Sequence, residues 1–197
     1  MRIIVLTFKP SLRRLDDLEN LMTIFVYIAT SLDGYIATKD GGIDWLNEIP
    51  NPDGSDYGFT EFMKDIDALV MGRKTFEKVL SFDVWPYDKP VFVLSTGNVA
   101  IPKELESDVK IINGTPTEIV SQLKNLGYTN LYIDGGKTIQ GFLEADLVDE
   151  MIITRIPILL GSGILLFGKL SQQMHFTHKK TEILNDMLVK THYSRIK

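Results

Sequence analysis

One predicted strand-to-helix junction carries residue types that bind phosphate. The apolar run 68–71 is followed by Gly72, Arg73, Lys74 and Thr75. Glycine allows a tight turn, and a helix N-terminus offers free N–H groups and partial positive charge to an anion. Cations in the first turn of a helix oppose its macrodipole unless an anion compensates. The motif therefore predicts a bound anion, and a solvated Arg-Lys pair is the alternative.

A second junction contains two adjacent glycines. The strand-like run 131–133 precedes Asp134, Gly135, Gly136, Lys137 and Thr138. Paired glycines at such a junction let the backbone approach a pyrophosphate closely. The spacing is not that of the three-glycine dinucleotide fingerprint, so an ordinary Rossmann site is not predicted. A tight turn without a ligand is the alternative.

A third junction offers hydroxyl groups. The run 91–94 is followed by Ser95 and Thr96, which could bond ribose or phosphate, although Ser-Thr-Gly-Asn is also ordinary turn chemistry. Ligands of open parallel sheets bind outside the carboxyl ends of the strands. Three phosphate-compatible strand ends in one small sheet therefore favour a nucleotide site over three unrelated turns.

Other polar residues near element ends have two readings each. Asp33 precedes Gly34 after the first predicted strand, and Asp-Gly commonly forms a simple turn. Asp56 stands at a predicted helix start, where an N-cap is the structural alternative. Trp45 lies in a loop from residue 38 to about residue 55, and it could anchor that loop. So long a loop inside a compact domain is typical of a functional segment.

These residues are positioned by strands that alternate with helices. Strands are predicted at 23–29, 68–71, 91–94, 109–112, 131–133 and 151–154, and helices at 56–64, 73–80, 116–126 and 138–143. Such alternation predicts βαβ crossovers and a mainly parallel sheet, and the tail reads as an antiparallel hairpin. Residues 22–197 are expected to form one domain. Residues 1–21 are expected to be an extension outside it, with an additional strand and helix as the alternative.

Composition excludes several classes of protein. The chain has 197 residues, 44% hydrophobic and 24% charged, as in a globular protein. A net charge of −5 argues against a general nucleic-acid binder. There is no cysteine, and His175 and His178 have no third ligand type nearby, so no metal site is predicted. No apolar run reaches the roughly 20 residues that cross a bilayer, and a cytoplasmic protein is expected.

The motifs together resemble the dihydrofolate reductase superfamily. The greatest likeness is to the reductase domain of bacterial bifunctional riboflavin-biosynthesis deaminase–reductases and its stand-alone relatives. It covers Met22 to Lys197 and rests on four landmarks in order, which are Ser31 to Ala37, Met71 to Thr75, Asp134 to Gly136, and Leu160 to Gly163 before Leu166-Phe167. The resemblance implies a three-layer αβα dihydrofolate reductase-like fold.

The resemblance also implies NADPH as cofactor. Ala29 and Ile36 match positions that flank the nicotinamide, Arg73 matches a 2′-phosphate contact, and Thr75 matches a pyrophosphate contact. Ser95 and Thr96 match the adenosine-phosphate end. Gly135-Gly136 matches a diphosphate turn that contains a cis peptide in the family. The full predicted set is Ala29, Ile36, Gly72, Arg73, Lys74, Thr75, Ser95, Thr96, Gly135, Gly136, Lys137 and Thr138.

Substrate residues are implied in the same way. Asp33 and Asp134 match carboxylates that face the substrate in riboflavin-type reductases, where the second is usually Glu, and Asp56 falls where dihydrofolate reductases carry their pterin-binding carboxylate. These three are the predicted catalytic residues, and Trp45 is added as a substrate contact. A buried carboxylate can pair with ring N–H groups and support protonation beside the carbon that accepts hydride.

Three functions follow as hypotheses. The leading one is hydride transfer from NADPH to a small pyrimidine or pterin, as in 5-amino-6-(5-phosphoribosylamino)uracil reductase. Tyr35 stands where riboflavin-type reductases often carry a cation, which weakens the expectation of a phosphoribosyl group. The alternatives are dihydrofolate reduction and, from another class, a non-catalytic NADPH-binding protein. Pairing of two copies is left open.

Overall fold

The computed structural model describes residues 22–197, so the predicted extension of residues 1–21 lies outside the described part of the chain. The strands in this part are β1 (Thr23–Thr30), β2 (Tyr35–Ala37), β3 (Ala68–Gly72), β4 (Val91–Leu94), β5 (Val109–Ile112), β6 (Asn130–Asp134), β7 (Glu150–Arg155), β8 (Ile164–Leu165), β9 (Phe176–Leu184) and β10 (Leu188–Arg195). The α-helices are α1 (Phe59–Lys64), α2 (Arg73–Val79), α3 (Pro116–Asn125) and α4 (Gly136–Glu144).

Eight of these strands form one sheet in the order β5-β4-β3-β6-β1-β7-β10-β9. The pairs from β5 to β7 are all parallel, and β10 pairs antiparallel with both β7 and β9. The predicted mainly parallel sheet with an antiparallel C-terminal hairpin is therefore confirmed. Strand β6 enters between β3 and β1, and this places the carboxyl ends of three central strands next to one another.

Each face of the sheet is covered by a separate apolar layer. One face packs against α3 and α4, through buried side chains such as Leu123 and Phe142. The other face packs against α1 and α2, through Met63 and Phe76. Side chains alternate between the faces along each strand, so Leu131 and Ile133 enter the first layer and Tyr132 enters the second. This is the predicted three-layer αβα architecture.

Local sequence explains where the helices begin. At α3, Thr115 and Glu118 form a reciprocal capping box. The helix expected from Asp56 begins later, at Phe59, because Gly58 adopts a left-handed conformation with φ +88°. Within the described residues, no helix is long and apolar enough to cross a membrane.

A small second sheet was not predicted. Strands β2 and β8 pair antiparallel, with Tyr35 opposite Leu165 and Ala37 opposite Ile164. The strands have only three and two residues, too few to give a periodic pattern. The pairing joins the segment after β1 to the segment after β7, so it closes over the carboxyl end of the large sheet.

Candidate functional site

The ends of β3 and β6 are in van der Waals contact. Met71 pairs with Asp134 in the sheet, and the next residues are the two glycines that open α2 and α4. A Cβ atom on Gly72 would lie 3.0 Å from Thr138 Oγ1, and one on Gly135 would overlap the side chain of Thr75. The first turns of the two helices therefore lie side by side because glycine stands at both contacts.

Neither of these two helix starts is capped by a side chain. Gly72 and Gly135 are the N-cap residues, and the first turns of α2 and α4 contain no acidic residue. By contrast, Thr115 and Glu118 cap α3. The first N–H groups of a helix have no partner within the helix. Two adjacent N-termini thus present unsatisfied donors and partial positive charge at one edge of the sheet.

The predicted cations surround this edge. Arg73, Lys74 and Lys137 are exposed. The Arg73 guanidinium is held by Glu77, one turn later on α2, with Nε 2.6 Å from the carboxylate oxygen. An exposed ion pair of this kind is worth little, so Arg73 can exchange Glu77 for an anionic ligand.

The third predicted junction lies beside the first. Leu94, at the end of β4, pairs with Gly72, which places Ser95 and Thr96 next to the start of α2. The Ser95 hydroxyl closes its own turn by donating to the Gly97 carbonyl at 2.9 Å. Thr96 is exposed. Both readings of this segment, turn chemistry and ligand contact, are compatible with that geometry.

An apolar wall faces the glycine pair. A Cβ atom on Gly136 would lie 2.8 Å from Ile36 Cδ1 and 3.1 Å from Ile164 Cγ2. Ile36 is a predicted nicotinamide neighbour, and Ile164, on β8, was not predicted. The expected cis peptide at Gly135-Gly136 is wrong for this structure, because residues 22–197 contain no cis peptide bond.

Ala29 and Trp45 lie in the same apolar cluster, with Ile156 and Leu188. Trp45 is only 6% exposed, which fits the loop-anchor reading. Its indole Nε1 is nevertheless buried with no hydrogen-bond partner among residues 22–197. An unpaired buried donor is unusual in a protein and marks a place where a ligand or water could accept a hydrogen bond.

Asp134 has one engaged oxygen and one available oxygen. Its Oδ1 accepts a hydrogen bond from the Gly135 N–H at 2.7 Å. Burial raises the pKa of this carboxyl group to about 6, against the opposing effect of that hydrogen bond. Oδ2 accepts no hydrogen bond from any described residue. Asp134 therefore takes up a proton at a higher pH than an ordinary aspartate does, beside the glycine pair.

Asp33 is engaged in holding two loops together. Its carboxylate accepts hydrogen bonds from Ser31 Oγ at 2.6 Å, Leu160 N–H at 3.1 Å and Gly161 N–H at 2.7 Å. The Ser31 hydrogen bond is the main cause of a lowered pKa at Asp33. The first and last of the four sequence landmarks thus contact each other through this side chain.

Asp56 binds the start of α1. Its two oxygens accept from the N–H groups of Gly58, at 2.9 Å, and Thr60, at 2.8 Å. Hydrogen bonding by Thr60, and then by Gly58, lowers the pKa of Asp56 to about 2. The N-cap residue of α1 is Gly58, so the N-cap alternative for Asp56 is displaced by two residues, and this exposed carboxylate supports the helix start from outside the cap position.

Some neighbours of the site were not found from the sequence. Trp85 and Tyr87 stand in the loop between α2 and β4, and both pack against the apolar layer that contains Tyr132. The only sequence signal was two aromatic residues around a proline in a loop. Two surface concavities, of about 410 and 490 Å³, lie along α3 and beside Asp149, and neither includes a predicted site residue.

Comparisons with known proteins agree with this architecture. The family model described as RibD C-terminal domain matches residues 79–189. The uncharacterized protein YwjB of Bacillus subtilis (strain 168) is 37% identical over 174 residues, which are 86% of this chain and 96% of YwjB. A crystal structure described as a candidate riboflavin biosynthesis protein from Shewanella sp. PV-4 has a TM-score of 0.85 and 51% identity, over 89% of this chain and all of that one.

More distant structures share the fold. The deaminase/5-amino-6-(5-phosphoribosylamino)uracil reductase of Thermotoga maritima has a TM-score of 0.70 and 16% identity, over 91% of this chain and 58% of that one. Dihydrofolate reductase from Enterococcus faecalis, complexed with NADP(H), has a TM-score of 0.64 and 16% identity, over 89% of this chain and 97% of that one. The dihydrofolate reductase-like fold is thereby confirmed. The chain belongs to the RibD C-terminal domain family, a reductase-like family of riboflavin biosynthesis.

Proposed function

We propose that this protein is an NADPH-dependent reductase that transfers hydride to a small pyrimidine-like or pterin-like substrate. The observation that carries the proposal is the pair of uncapped helix starts, at Gly72 and Gly135, packed side by side with cations around them. Two such N-termini suit two linked phosphates. The Enterococcus dihydrofolate reductase, which shares the fold, is complexed with NADP(H).

The contacts at the two glycines bear on whether a dinucleotide could bind at this edge of the sheet. The Thr75 and Thr138 side chains already fill the space where a Cβ on Gly135 or Gly72 would stand. The two helix starts can therefore lie this close together only with glycine at both positions. Arg73, Lys74 and Lys137 would hold the anionic groups, and Thr75 and Thr138 would add hydroxyl contacts. Arg73 favours NADPH over NADH because a guanidinium binds a phosphate bidentately.

The residues around the glycine pair suit reduction. NADPH, when bound, supplies the hydride. Ile36 and Ile164 form an apolar wall beside Gly136 that would exclude water from the reacting face. Asp134, with a pKa of about 6, can retain a proton and deliver it near the carbon that accepts hydride. Asp33 would act indirectly, by fixing the loop at Leu160.

A pyrimidine of riboflavin biosynthesis is the substrate class we propose, because the Thermotoga protein that shares the fold is a uracil reductase. Dihydrofolate reduction is less well supported, since both oxygens of Asp56 are engaged at α1. A non-catalytic NADPH-binding protein would bind the cofactor and fail to oxidise it. The cytoplasmic location and the pairing of two copies stay predictions.

The test is the affinity for NADPH and NADH, measured by calorimetry. We expect Arg73→Ala to lower the affinity for NADPH at least tenfold, equivalent to about 1.4 kcal/mol of binding free energy. The same substitution should lower the affinity for NADH less than threefold. Lys197→Ala is the matched control, because Lys197 forms an ion pair with Asp149 at 2.6 Å beside the start of β7, at the other end of the sheet. Equal losses for the two nucleotides would contradict the 2′-phosphate role.

Hydride transfer is tested separately, by following NADPH absorbance with 5-amino-6-(5-phosphoribosylamino)uracil and with dihydrofolate. Oxidation with the first compound alone supports the leading proposal. Oxidation with dihydrofolate alone would favour the alternative enzyme. Tight NADPH binding without oxidation in either case would favour the non-catalytic protein.

A further inference from the structure

The side chain of Gln140 joins α4 to the small second sheet. Gln140 lies one turn after Gly136, and its Nε2 donates a hydrogen bond to the Leu165 carbonyl of β8 at 2.7 Å. The same amide group lies against Gly168, where a Cβ atom would be 3.1 Å from the Gln140 side chain. The helix that begins at the glycine pair therefore contacts, through this side chain, the segment that contains β8.

The segment that contains β8 forms part of the apolar wall beside the glycine pair. A Cβ atom on Gly136 would lie 3.1 Å from Cγ2 of Ile164, the neighbour of Leu165 in β8, and 2.8 Å from Cδ1 of Ile36 in β2. The two strands that carry these isoleucines pair with each other. The position of the wall therefore depends on the position of β8.

Strand β8 is held only weakly by its own residues. The strands β2 and β8 have three and two residues, and a two-stranded sheet of this size is at best marginally stable alone. The side chains of Ile164 and Leu165 are 36% and 45% exposed, so their burial contributes little to holding β8 in place. A hydrogen bond from α4 therefore contributes directly to the position of this strand.

Other contacts hold the two ends of the same segment. Ahead of β8, the Asp33 carboxylate accepts hydrogen bonds from the N–H groups of Leu160 and Gly161. After β8, Leu166 is buried in the core, and its N–H donates to the Gly34 carbonyl at 3.0 Å. These contacts fix the ends of the segment, and the glutamine acts between them, on β8 itself.

We propose that Gln140 is a positioning residue that holds Ile164 of β8 against the glycine pair. Loss of its hydrogen bond lets β8 move away from α4 more often, which opens the apolar wall to water. The nicotinamide half of a bound NADPH is then held less well, while the half that carries the 2′-phosphate is unaffected. The consequence for NADPH rests on the proposed function, whereas the attachment of β8 does not.

The attachment is tested without any nucleotide, by amide hydrogen exchange of Gln140→Met measured by NMR. Methionine keeps the approximate length and the helix propensity of glutamine and removes the hydrogen-bond donor. The Leu166 N–H reports on the small sheet because it donates to the Gly34 carbonyl. We expect its protection from exchange to fall about fivefold, equivalent to about 1 kcal/mol, the usual net contribution of one hydrogen bond.

The consequence for the cofactor is tested with NADPH and with 2′,5′-ADP, which carries the 2′-phosphate and has no nicotinamide. We expect Gln140→Met to raise the dissociation rate of NADPH about fivefold, measured by stopped-flow fluorescence. The affinity for 2′,5′-ADP should stay within about twofold of the wild-type value. A general disturbance of α4 would weaken both ligands equally, so the comparison separates positioning of the wall from damage to the helix start.

Gln122→Met is the matched control, because Gln122 of α3 also donates to a backbone carbonyl, that of Asn113, at 3.4 Å. It should leave the Leu166 protection and the NADPH dissociation rate unchanged. Unchanged protection or an unchanged dissociation rate in Gln140→Met, or equal losses of affinity for NADPH and 2′,5′-ADP, would overturn the inference. Failure of the wild-type protein to bind NADPH would defeat the reductase proposal, while the exchange measurement would still decide whether Gln140 holds β8.

Discussion

At the scale of single residues, the three predicted aspartates differ in what surrounds their carboxyl groups. Hydrogen bonds stabilise the charged forms of Asp33 and Asp56 and lower the pKa of each, from the Ser31 side chain and then backbone N–H groups at Asp33, and from Thr60 and then Gly58 at Asp56. Asp134 receives a single such hydrogen bond and is buried, so its pKa rises to about 6. Of the three, Asp134 is the one whose pKa lies nearest to neutral pH.

This difference predicts an effect of pH on stability. Because the pKa of Asp134 is higher in the folded state than the ordinary value of 3.8, ionisation destabilises the fold as pH rises from about 4 to above 6. We expect Asp134→Asn to stabilise the protein at pH 8, and this advantage to shrink by about 2 kcal/mol on going to pH 4.5. Urea unfolding of both proteins at both pH values measures this change in unfolding free energy.

The control for Asp134 is Asp40→Asn. Hydrogen bonding by Thr38 lowers the pKa of Asp40, so its charge supports the folded state and its loss cannot stabilise the protein at pH 8. If the difference in unfolding free energy between wild type and Asp134→Asn did not change with pH, the pKa of Asp134 would not be raised in the folded state.

At the scale of elements, the site depends on how closely α2 and α4 begin. Their first turns touch through Gly72 with Thr138 and through Gly135 with Thr75. Gly135 also has φ +90° and ψ 135°, a conformation that side chains disfavour. Two reasons therefore require glycine at 135, one from the backbone and one from the neighbouring helix.

The two reasons can be separated by substitution. Gly127→Ala is the control, because Gly127 has φ +89° and open space around the position of its Cβ. We expect Gly127→Ala to cost about 1 kcal/mol of unfolding free energy and Gly135→Ala about 3 kcal/mol, since overpacking adds to the backbone strain. Thr75→Ala should recover part of the loss in the Gly135→Ala background. Equal costs for the two glycines, measured by urea unfolding, would rule out the contact with Thr75.

At the scale of the whole molecule, the sequence predicted elements better than their arrangement. Each strand-to-helix junction was visible locally, as at Gly72 and at Gly135, because turn and helix-start chemistry lies in adjacent residues. The order of strands was not visible, and it is the entry of β6 between β3 and β1 that brings those junctions together. The small β2–β8 sheet depends on a contact between distant segments for the same reason.

Side-chain roles were the least predictable part. Asp33 has the same sequence context whether it forms a turn or accepts N–H groups from residues 160 and 161, and only the fold brings that loop to it. Tyr87 had no motif because its place against the apolar layer that contains Tyr132 comes from packing on Trp85. The contacts of Asp56 with the start of α1 were accessible, since its partners are two and four residues away, although the N-cap residue is Gly58 and not Asp56.

The assembly of the site from distant segments makes cofactor binding a property of the folded chain alone. Ile36, Arg73, Ser95 and Gly136 come from separate parts of the sequence, so the unfolded chain should have no affinity for NADPH. NADPH at 100 times its Kd then adds about 2.7 kcal/mol to the unfolding free energy and raises the midpoint of thermal unfolding by about 5–10 °C. We expect NADH at the same concentration to raise the midpoint far less, and Arg73→Ala to lose most of the NADPH effect while Lys197→Ala keeps it. Differential scanning fluorimetry measures all four cases.

An equal rise of the midpoint with both nucleotides would mean that the chain binds the shared diphosphate without a contact to the 2′-phosphate. No rise with either nucleotide would mean that the paired helix starts stabilise the fold and do not bind a cofactor.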